Sequence, residues 1–325
     1  VNRPIRHSAN IIVGMVALGL ALLLAVHMLF FGIRSTHLLG YPYPLDYGEG
    51  PLLAQVQALR DGMPIWRLYA DPDQPPYAVV NYPPVYILMV AALDALLPGS
   101  ALLAGRIVSL LAALSAALAL ALLVSGSRGA GARERKQATP FSIQDWPSSL
   151  LTAGLFLSIG IVREWASVMR VDMLGLSLGL WALLVVQRST GRRGMLWAAP
   201  LLALSLLCKP TLLAAPAAVG LWLLFRSWRW ALALGMLTAL LVGLSVSVLQ
   251  FTSAGWFIVH TLLANANAWD GKLAQQFWQD HMLIMRPLML AAIVTLLISI
   301  SGRDQGSACL LYTSPSPRDG LLSRM

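Results

Sequence analysis

The stretch "ALLAGRIVSLLAALSAALALALLV" (101–124) decides the fold class, because it is almost continuously apolar over 24 residues. A helix of about 20 apolar residues crosses the hydrocarbon core of a bilayer. Further apolar runs of roughly 15 to 24 residues recur along the chain, and their Leu and Ala content is typical of helices rather than of barrel strands. The sequence therefore predicts an all-α, polytopic membrane protein.

Composition and charge agree with this prediction. Of 325 residues, 58% are hydrophobic and 11% are charged, whereas soluble domains carry about 25% charged residues. The net charge of +9 comes from short links between apolar runs, which favours a topological role over nucleic-acid binding. One cysteine, Cys208, lies in an apolar run and the other, Cys309, lies near the end, so no disulfide or metal framework is proposed.

The basic links predict which loops face the cytoplasm. They are 125–136, which contains "SRGAGARERK", then "QRSTGRRG" (187–194) and "RSWR" (226–229). With these links inside, the apolar piece 83–99 is expected to dip into the outer leaflet rather than to cross. A true span there, compensated by another error, is the alternative. About eight spans result: 10–31, 101–124, 148–163, 172–187, 195–208, 211–225, 230–250 and 287–300.

The two ends of the chain need separate interpretations. The first run, 10–31, follows basic residues but lacks a clean cleavage site, so we expect a retained signal-anchor. The segment "CLLYTSPSPRDG" (309–320) resembles a translated sequencing adaptor and breaks the membrane pattern. We expect one membrane domain over 1–308, incomplete at its C-terminus, and a non-native tail over 309–325.

The predicted topology places loops 32–82, 163–172 and 251–286 outside. In the first loop, "YPYPLDYGEG" (41–50) carries Asp46 and Glu49, followed by a predicted surface helix over 51–61. The two carboxylates could approach one substrate group, one as general base and the other as its partner. The alternative is a solvated acidic loop. "NYPPVY" (81–86) adds Tyr82, an interfacial aromatic residue for which a substrate role remains open.

The other outer segments supply candidate binding groups. "REWASVMRVDML" (163–174) places Arg163, Arg170 and Asp172 at helix ends, where arginines could hold an anionic headgroup; pairing of Arg170 with Asp172 is the alternative. "CKPT" (208–211) offers Lys209 as a phosphate ligand or as a simple interfacial lysine. The loop "HTLLANANAWDGKLAQQFW" contributes hydrogen-bonding groups near aromatic rings, which suit carbohydrate: His260, Asn265 and Asn267.

The order of these segments resembles the GT-C superfamily of multi-spanning glycosyltransferases, especially enzymes similar to aminoarabinose transferase, protein O-mannosyltransferase and lipopolysaccharide-core galacturonosyltransferases. The resemblance covers roughly residues 10–300. It implies a GT-C-like helical bundle with outer-leaflet juxtamembrane helices. It also implies sugar transfer from a polyprenyl-phosphate carrier, with Asp46 matching the catalytic aspartate and Glu49 as a second acid. Two residues separate these acids, which leaves their division of roles open.

The resemblance also sets the expected context. The donor is a polyprenyl-phosphate-linked sugar, the acceptor a lipid, glycan or protein, and the surroundings are membrane lipid of the bacterial inner membrane, with the site on the outer face of the cell envelope. No cofactor is certain; a divalent metal ion is conceivable with two acids, and metal dependence stays open. Outer polar clusters favour a donor already carried across on a lipid, because nucleotide sugars are made in the cytoplasm. The competing class is a multi-pass transporter or flippase of a lipid-linked or small polar substrate.

Overall fold

The structure is a computed structural model that describes residues 3–75, 77–97, 99–127, 146–189, 191–266, 270–276 and 278–280. The chain divides into two units, 1–266 and 267–325. In the second unit, the described part contains a helix over 271–276, whose first amides bond to the Asp270 carboxylate. The predicted span 287–300 and the predicted tail 309–325 lie outside the described residues.

The first unit is built from helices, and its described residues contain no strand. Its described residues also include two short 3-10 segments, Ile65–Tyr69 and Leu263–Asn265. In chain order the α-helices are α1 (Arg3–Leu39), α2 (Glu49–Arg60), α3 (Val85–Asp94), α4 (Ala101–Ser127), α5 (Trp146–Ser158), α6 (Gly160–Trp165), α7 (Val171–Arg188), α8 (Arg192–Cys208), α9 (Ala214–Arg226), α10 (Trp228–Thr252) and α11 (Trp256–Thr261).

Four of these helices are long and apolar enough to cross a membrane: Ala21–Leu39 within α1, Ala101–Ser125 within α4, Val171–Arg188 and Trp228–Thr252. Large apolar side chains remain exposed every fourth residue along α10, at Leu232, Met236, Leu240, Leu244 and Val248. A soluble protein rarely leaves so continuous an apolar stripe in water. The fold is therefore that of a membrane-embedded helical protein.

The prediction of eight spans is not confirmed. The run 148–163 is divided between α5 and α6, because Ile159 has an extended backbone that ends one helix before the next begins. Helices α8 and α9 have 17 and 13 residues, which is short for a crossing. Helix α3 has ten residues, about 15 Å of helix. That length is too short to span, as expected for the segment 83–99.

Helix α7 lies at the centre of the bundle, packed between α4 and α8. Its close approach to neighbours depends on small residues: a Cβ atom at Gly175 would collide with the Leu212 side chain, and one at Gly179 would lie 2.8 Å from the Ala215 Cβ. Helix α10 packs on α8 and α9, while α1 packs mainly on α5. The first residues of α7 are thereby held between α4 and the end of α8.

Helices α2 and α3 form a cap on the beginning of α4. The apolar face of α2 is buried through Leu52 and Val56, which join a core with Tyr86, Ile87 and Val90 of α3. The predicted surface helix therefore exists, but it begins at Glu49 rather than at residue 51. Glu49 lies in the first turn, where the helix dipole favours a negative charge.

Candidate active site

A fully buried arginine organises the loop that carries the acidic residues. Arg106, in the second turn of α4, is 0% exposed and uses all five of its N–H donors. Its Nη1 donates to the carbonyls of Leu38 and Tyr41, both at 2.6 Å, and its Nη2 donates to the Tyr43 carbonyl at 2.8 Å. Nε and Nη2 bind the two Glu49 carboxylate oxygens at 2.9 Å each. The loop after α1 is thus wrapped around one guanidinium.

The Glu49 carboxylate is equally saturated. Besides the two bonds from Arg106, its Oε2 accepts from the Leu45 amide at 2.6 Å and its Oε1 from the Met169 amide at 2.7 Å. Burial alone would raise the pKa of Glu49, but the hydrogen bonds from Arg106, Leu45 and Met169 outweigh burial, and the pKa lies below its ordinary value. The carboxylate is therefore charged and enclosed.

This enclosure changes the interpretation of the two acids. We expected Asp46 and Glu49 to approach one substrate group together. Instead Glu49 is 0% exposed and accepts four hydrogen bonds from the protein, so its carboxylate has no accessible surface for a substrate. Its place between α4 and the amide of Met169 gives it a positioning role.

The backbone before α7 is held by a second set of contacts. The Ser109 hydroxyl donates to the Arg170 carbonyl at 3.1 Å and lies 3.2 Å from the Arg170 amide nitrogen. The Tyr86 phenol of α3 donates to the Gly105 carbonyl at 2.9 Å, and its oxygen lies 2.9 Å from the Ser109 hydroxyl oxygen. A Cβ atom at Gly105 would collide with the Met169 side chain. Together with Glu49, these contacts fix the direction in which the Arg170 side chain leaves the backbone.

Four charged side chains then form a line, which we call the charge chain: Asp46, Arg170, Asp172 and Lys209. Arg170 Nη1 donates to Asp46 Oδ2 at 2.7 Å, and the Gly48 amide donates to the same oxygen at 2.9 Å. Arg170 Nε lies 3.5 Å from Asp172 Oδ2, and Lys209 Nζ donates to Asp172 Oδ1 at 2.5 Å. The alternative pairing of Arg170 with Asp172 is thus one link of a longer series.

The charge chain is buried in the middle and accessible at its ends. The side chains of Arg170 and Asp172 are each 7% exposed, whereas those of Asp46 and Lys209 are 27% and 23% exposed. Asp46 Oδ1 makes no hydrogen bond to a described residue, which leaves this oxygen open. The surface therefore presents a carboxylate oxygen and an ammonium group, connected through a buried ion pair.

Aromatic rings surround the two cations. The Arg170 guanidinium lies 5.0 Å from the Trp165 ring centre and 5.2 Å from that of Tyr47, and Lys209 Nζ lies 5.9 Å from Trp165. Burial lowers the pKa of Arg170, but the hydrogen bond with Tyr47 and the neighbouring carboxylates raise it by more. The net pKa lies above its ordinary value, so the guanidinium stays charged. Burial raises the pKa of Tyr82, and the nearby Lys209 and Arg170 partly oppose this. The Tyr82 phenol is therefore neutral.

The side-chain nitrogens of His260 and Asn265 form hydrogen bonds with backbone groups. His260 is buried, its Nδ1 accepts from the Val80 amide at 3.0 Å, and its Nε2 donates to the Ala70 carbonyl at 2.7 Å, which defines a neutral tautomer. Asn265 Nδ2 donates to the Asn81 carbonyl at 3.0 Å. The expected sugar contact of His260 does not fit this geometry, because both ring nitrogens are used to hold the 70–80 segment.

The remaining candidates contribute less. Arg163 is half-buried on α6 and forms no ion pair with a described residue. Asn267 lies outside the described residues. Within the described part of the chain, no group of three histidine, cysteine or acidic side chains could hold a metal ion. The structure thus brings together Asp46, Arg170, Asp172 and Lys209, with Tyr82 beside them.

An apolar groove begins next to the accessible lysine. A cavity of about 230 Å³ is lined by Pro83, Leu207, Pro210 and Phe257, among others. A second cavity of about 540 Å³ lies between α8, α9 and α10. The two share three lining residues, Leu206, Val242 and Val246, so we treat them as one surface, the α8–α10 groove. It runs along the apolar helices, and Pro210, the sequence neighbour of Lys209, is among its lining residues.

The sequence interpretation missed Arg106, Ser109 and Trp165. A signal for the arginine was present, since Arg106 is the single charged residue in the run 101–124 and a charge in such a run needs a partner. Its partner, Glu49, is 57 residues away, and no local pattern joins the two. Ser109 and Trp165 carry no comparable signal.

Comparison with protein-family models, with curated proteins and with solved structures finds no match to this chain. The geometry of the site therefore carries the functional argument on its own.

Proposed function

We propose that this protein is an integral-membrane glycosyltransferase that moves a sugar from a polyprenyl-phosphate carrier to an acceptor hydroxyl, with its site at the outer, periplasmic face. One observation carries the proposal. The charge chain presents an open carboxylate oxygen at one end and an ammonium at the other, beside a groove that is apolar enough for a lipid. A base, a phosphate-binding cation and a lipid surface are what this reaction needs.

Asp46 is the proposed general base. Its Oδ2 is held by Arg170 and by the Gly48 amide, which fixes the carboxylate plane and leaves Oδ1 to accept the proton of the acceptor hydroxyl. The acceptor oxygen then forms a bond to the anomeric carbon, and the bond from that carbon to the phosphate oxygen breaks. A single displacement of this kind inverts the anomeric centre.

Lys209 and Arg170 are the proposed phosphate ligands. The phosphate leaves with the bonding electron pair, and its developing charge is stabilised by preorganised cations in a partly buried site. Lys209 bonds Asp172 through one N–H, which leaves its other N–H donors for the phosphate. Phosphate is itself a good leaving group, so a general acid is not required.

The α8–α10 groove is the proposed seat of the lipid carrier. Pro83 and Pro210 line its mouth and are direct sequence neighbours of Tyr82 and Lys209. A carrier whose phosphate meets Lys209 could lay its apolar tail against α8 and α10. The apolar lining continues along α8 and α10.

A transporter finds less support in the same charges. Among the described residues of the four candidate spans, each Asp, Glu, Lys and Arg lies within about two turns of an end of its span. Transport sites are expected near mid-depth, between broken helices. The charge chain instead joins the start of α7 to the end of α8.

The test is sugar transfer from labelled polyprenyl-phosphate donors in membranes that contain the protein. Asp46→Asn keeps the side-chain size and removes the base, so we expect transfer to fall about 10²- to 10⁴-fold at matched expression. Asp61→Asn is the matched control, because Asp61 is an exposed acid at the end of α2, the helix that follows Asp46 in the sequence. Unchanged transfer by Asp46→Asn, or no transfer by the unmodified protein with any of several donor sugars, would refute the proposal.

A further inference from the structure

Another cavity, separate from the α8–α10 groove, lies along helix α2. It has a volume of about 460 Å³, within the usual range for small-ligand sites. One wall is the face of α2 from Pro51 to Ala58, and the other is the segment from Met63 to Val80. We call it the α2 cavity. Nothing in the proposed base or phosphate site uses it.

Gln55, which lines the α2 cavity, has a buried side-chain oxygen without a partner among the described residues. Gln55 is 9% exposed, and its Oε1 is buried without a hydrogen bond to any described residue. An unpaired buried acceptor is unfavourable, and such groups are rare in native proteins. This oxygen has almost no accessible surface, so the Gln55 amide must rotate toward the cavity before a ligand hydroxyl can donate to it.

Two further polar side chains line the same cavity. Arg67 supplies N–H donors, and Asp71 supplies a carboxylate, of which Oδ1 accepts the Asp73 amide at 3.0 Å. The remaining walls are apolar and include Ala54 and Leu68. Acceptors, donors and apolar walls in one cavity suit a pyranose ring, which has hydroxyls at its edge and C–H groups on its faces. A phosphate is disfavoured, because the carboxylate and the Gln55 oxygen would repel it.

The wall opposite α2 is held in place. His260 joins both ends of the 70–80 segment, through the Ala70 carbonyl and the Val80 amide. Pro51, in the first turn of α2, lies five residues after Asp46 in the sequence, so the cavity begins where the acidic loop ends. A group bound there would lie against the helix that anchors the proposed base.

From this arrangement we propose that the α2 cavity binds a saccharide unit of the acceptor. The inference rests on the proposed function, since it assigns the acceptor to the carbohydrate class. It requires Gln55 to accept a hydrogen bond from a sugar hydroxyl, with Arg67 and Asp71 bonding others.

The experiment measures binding without turnover. The full chain is purified in an amine-oxide detergent, which has no sugar headgroup, and saturation-transfer NMR is recorded with methyl glycosides of glucose, galactose and mannose. We expect a dissociation constant in the millimolar range for at least one glycoside. Gln55→Leu removes the amide at similar volume and should weaken binding about five- to tenfold.

Gln57→Leu is the matched control, because Gln57 is exposed on the same helix and does not line the cavity. Its affinity should equal that of the unmodified chain. Gln55→Leu should unfold at the same or a higher temperature, since a buried unpaired amide is replaced by an apolar group, so loss of binding would not reflect misfolding. The inference is overturned if no glycoside binds, or if Gln55→Leu and Gln57→Leu bind equally. Absence of sugar transfer would not affect this measurement, and absence of binding with intact transfer would reject the cavity alone.

Discussion

Replacement of Arg106 by Met tests the buried pair that shapes the acidic loop. The variant removes five hydrogen bonds and leaves the Glu49 carboxylate buried with two hydrogen bonds, both from backbone amides, instead of four. Breaking a buried pair from one side costs about 3–5 kcal/mol. At about 2–4 °C per kcal/mol, the midpoint of thermal unfolding should fall by about 6 to 20 °C.

The buried thiol of Cys208 offers the assay. In a Cys309→Ser background Cys208 is the sole cysteine, it is 0% exposed, and a thiol-reactive fluorophore reports its exposure on heating. Arg34→Met is the matched control, since Arg34 is an exposed arginine of α1, and its effect should stay within about 0.5 kcal/mol. Equal midpoints for Arg106→Met and Arg34→Met would refute the role given to the pair.

A double variant sharpens the test. Glu49→Gln in the Arg106→Met background removes the uncompensated charge, so the double variant should be more stable than Arg106→Met alone. Simple addition of the two single effects would show that the charges do not interact, and would contradict the geometry of two 2.9 Å contacts.

Two further predictions concern the same loop. A Cβ atom at Gly48 would lie 2.5 Å from Arg170 Nη1, so Gly48→Ala should displace the guanidinium and lower sugar transfer about tenfold or more, with little change in stability. Gly50→Ala is the control and should retain activity, because the space around Gly50 is open. Equal activities of the two variants would count against the charge chain. Because the pKa of Glu49 is lowered in the folded state, the stability it contributes is complete above about pH 4.5 and is lost as pH falls through the folded pKa. Glu49→Gln should therefore flatten the decline of the unfolding temperature below that pH, whereas Glu164→Gln should leave it unchanged. If the two variants showed the same dependence of unfolding temperature on pH, the contribution assigned to Glu49 would be wrong.

The helical class could be predicted from the sequence because hydrophobic length alone determines it. As a helix, a run such as 101–124 is longer than the hydrocarbon core of a bilayer is thick. Helices α4 and α10 contain the predicted spans 101–124 and 230–250 completely. The division at Ile159 was not predicted, because mean apolarity over 148–163 does not register one extended residue. The predicted number of spans is not confirmed, because some apolar runs form helices that are short for a crossing, as in α9.

The site could be predicted in its components but not in its pairing. The sequence indicates the two acids of the loop, Arg170, Lys209 and Asp172. Charged residues near the ends of apolar helices are costly unless they are paired or functional. Which acid stays accessible depended on contacts across 57 residues to Arg106 and 120 residues to Met169. Sequence spacing holds no information about such distant pairs, and the more exposed of two similar acids could not be chosen from it.

The alternation of signs along the charge chain has a kinetic consequence. Two carboxylates and two cations sum to zero formal charge, so their field cancels beyond a Debye length of about 8 Å at physiological ionic strength. Long-range attraction would therefore add little to the encounter with an anionic headgroup. A donor confined to the bilayer would reach the site by two-dimensional diffusion, and its association rate should hardly respond to added salt.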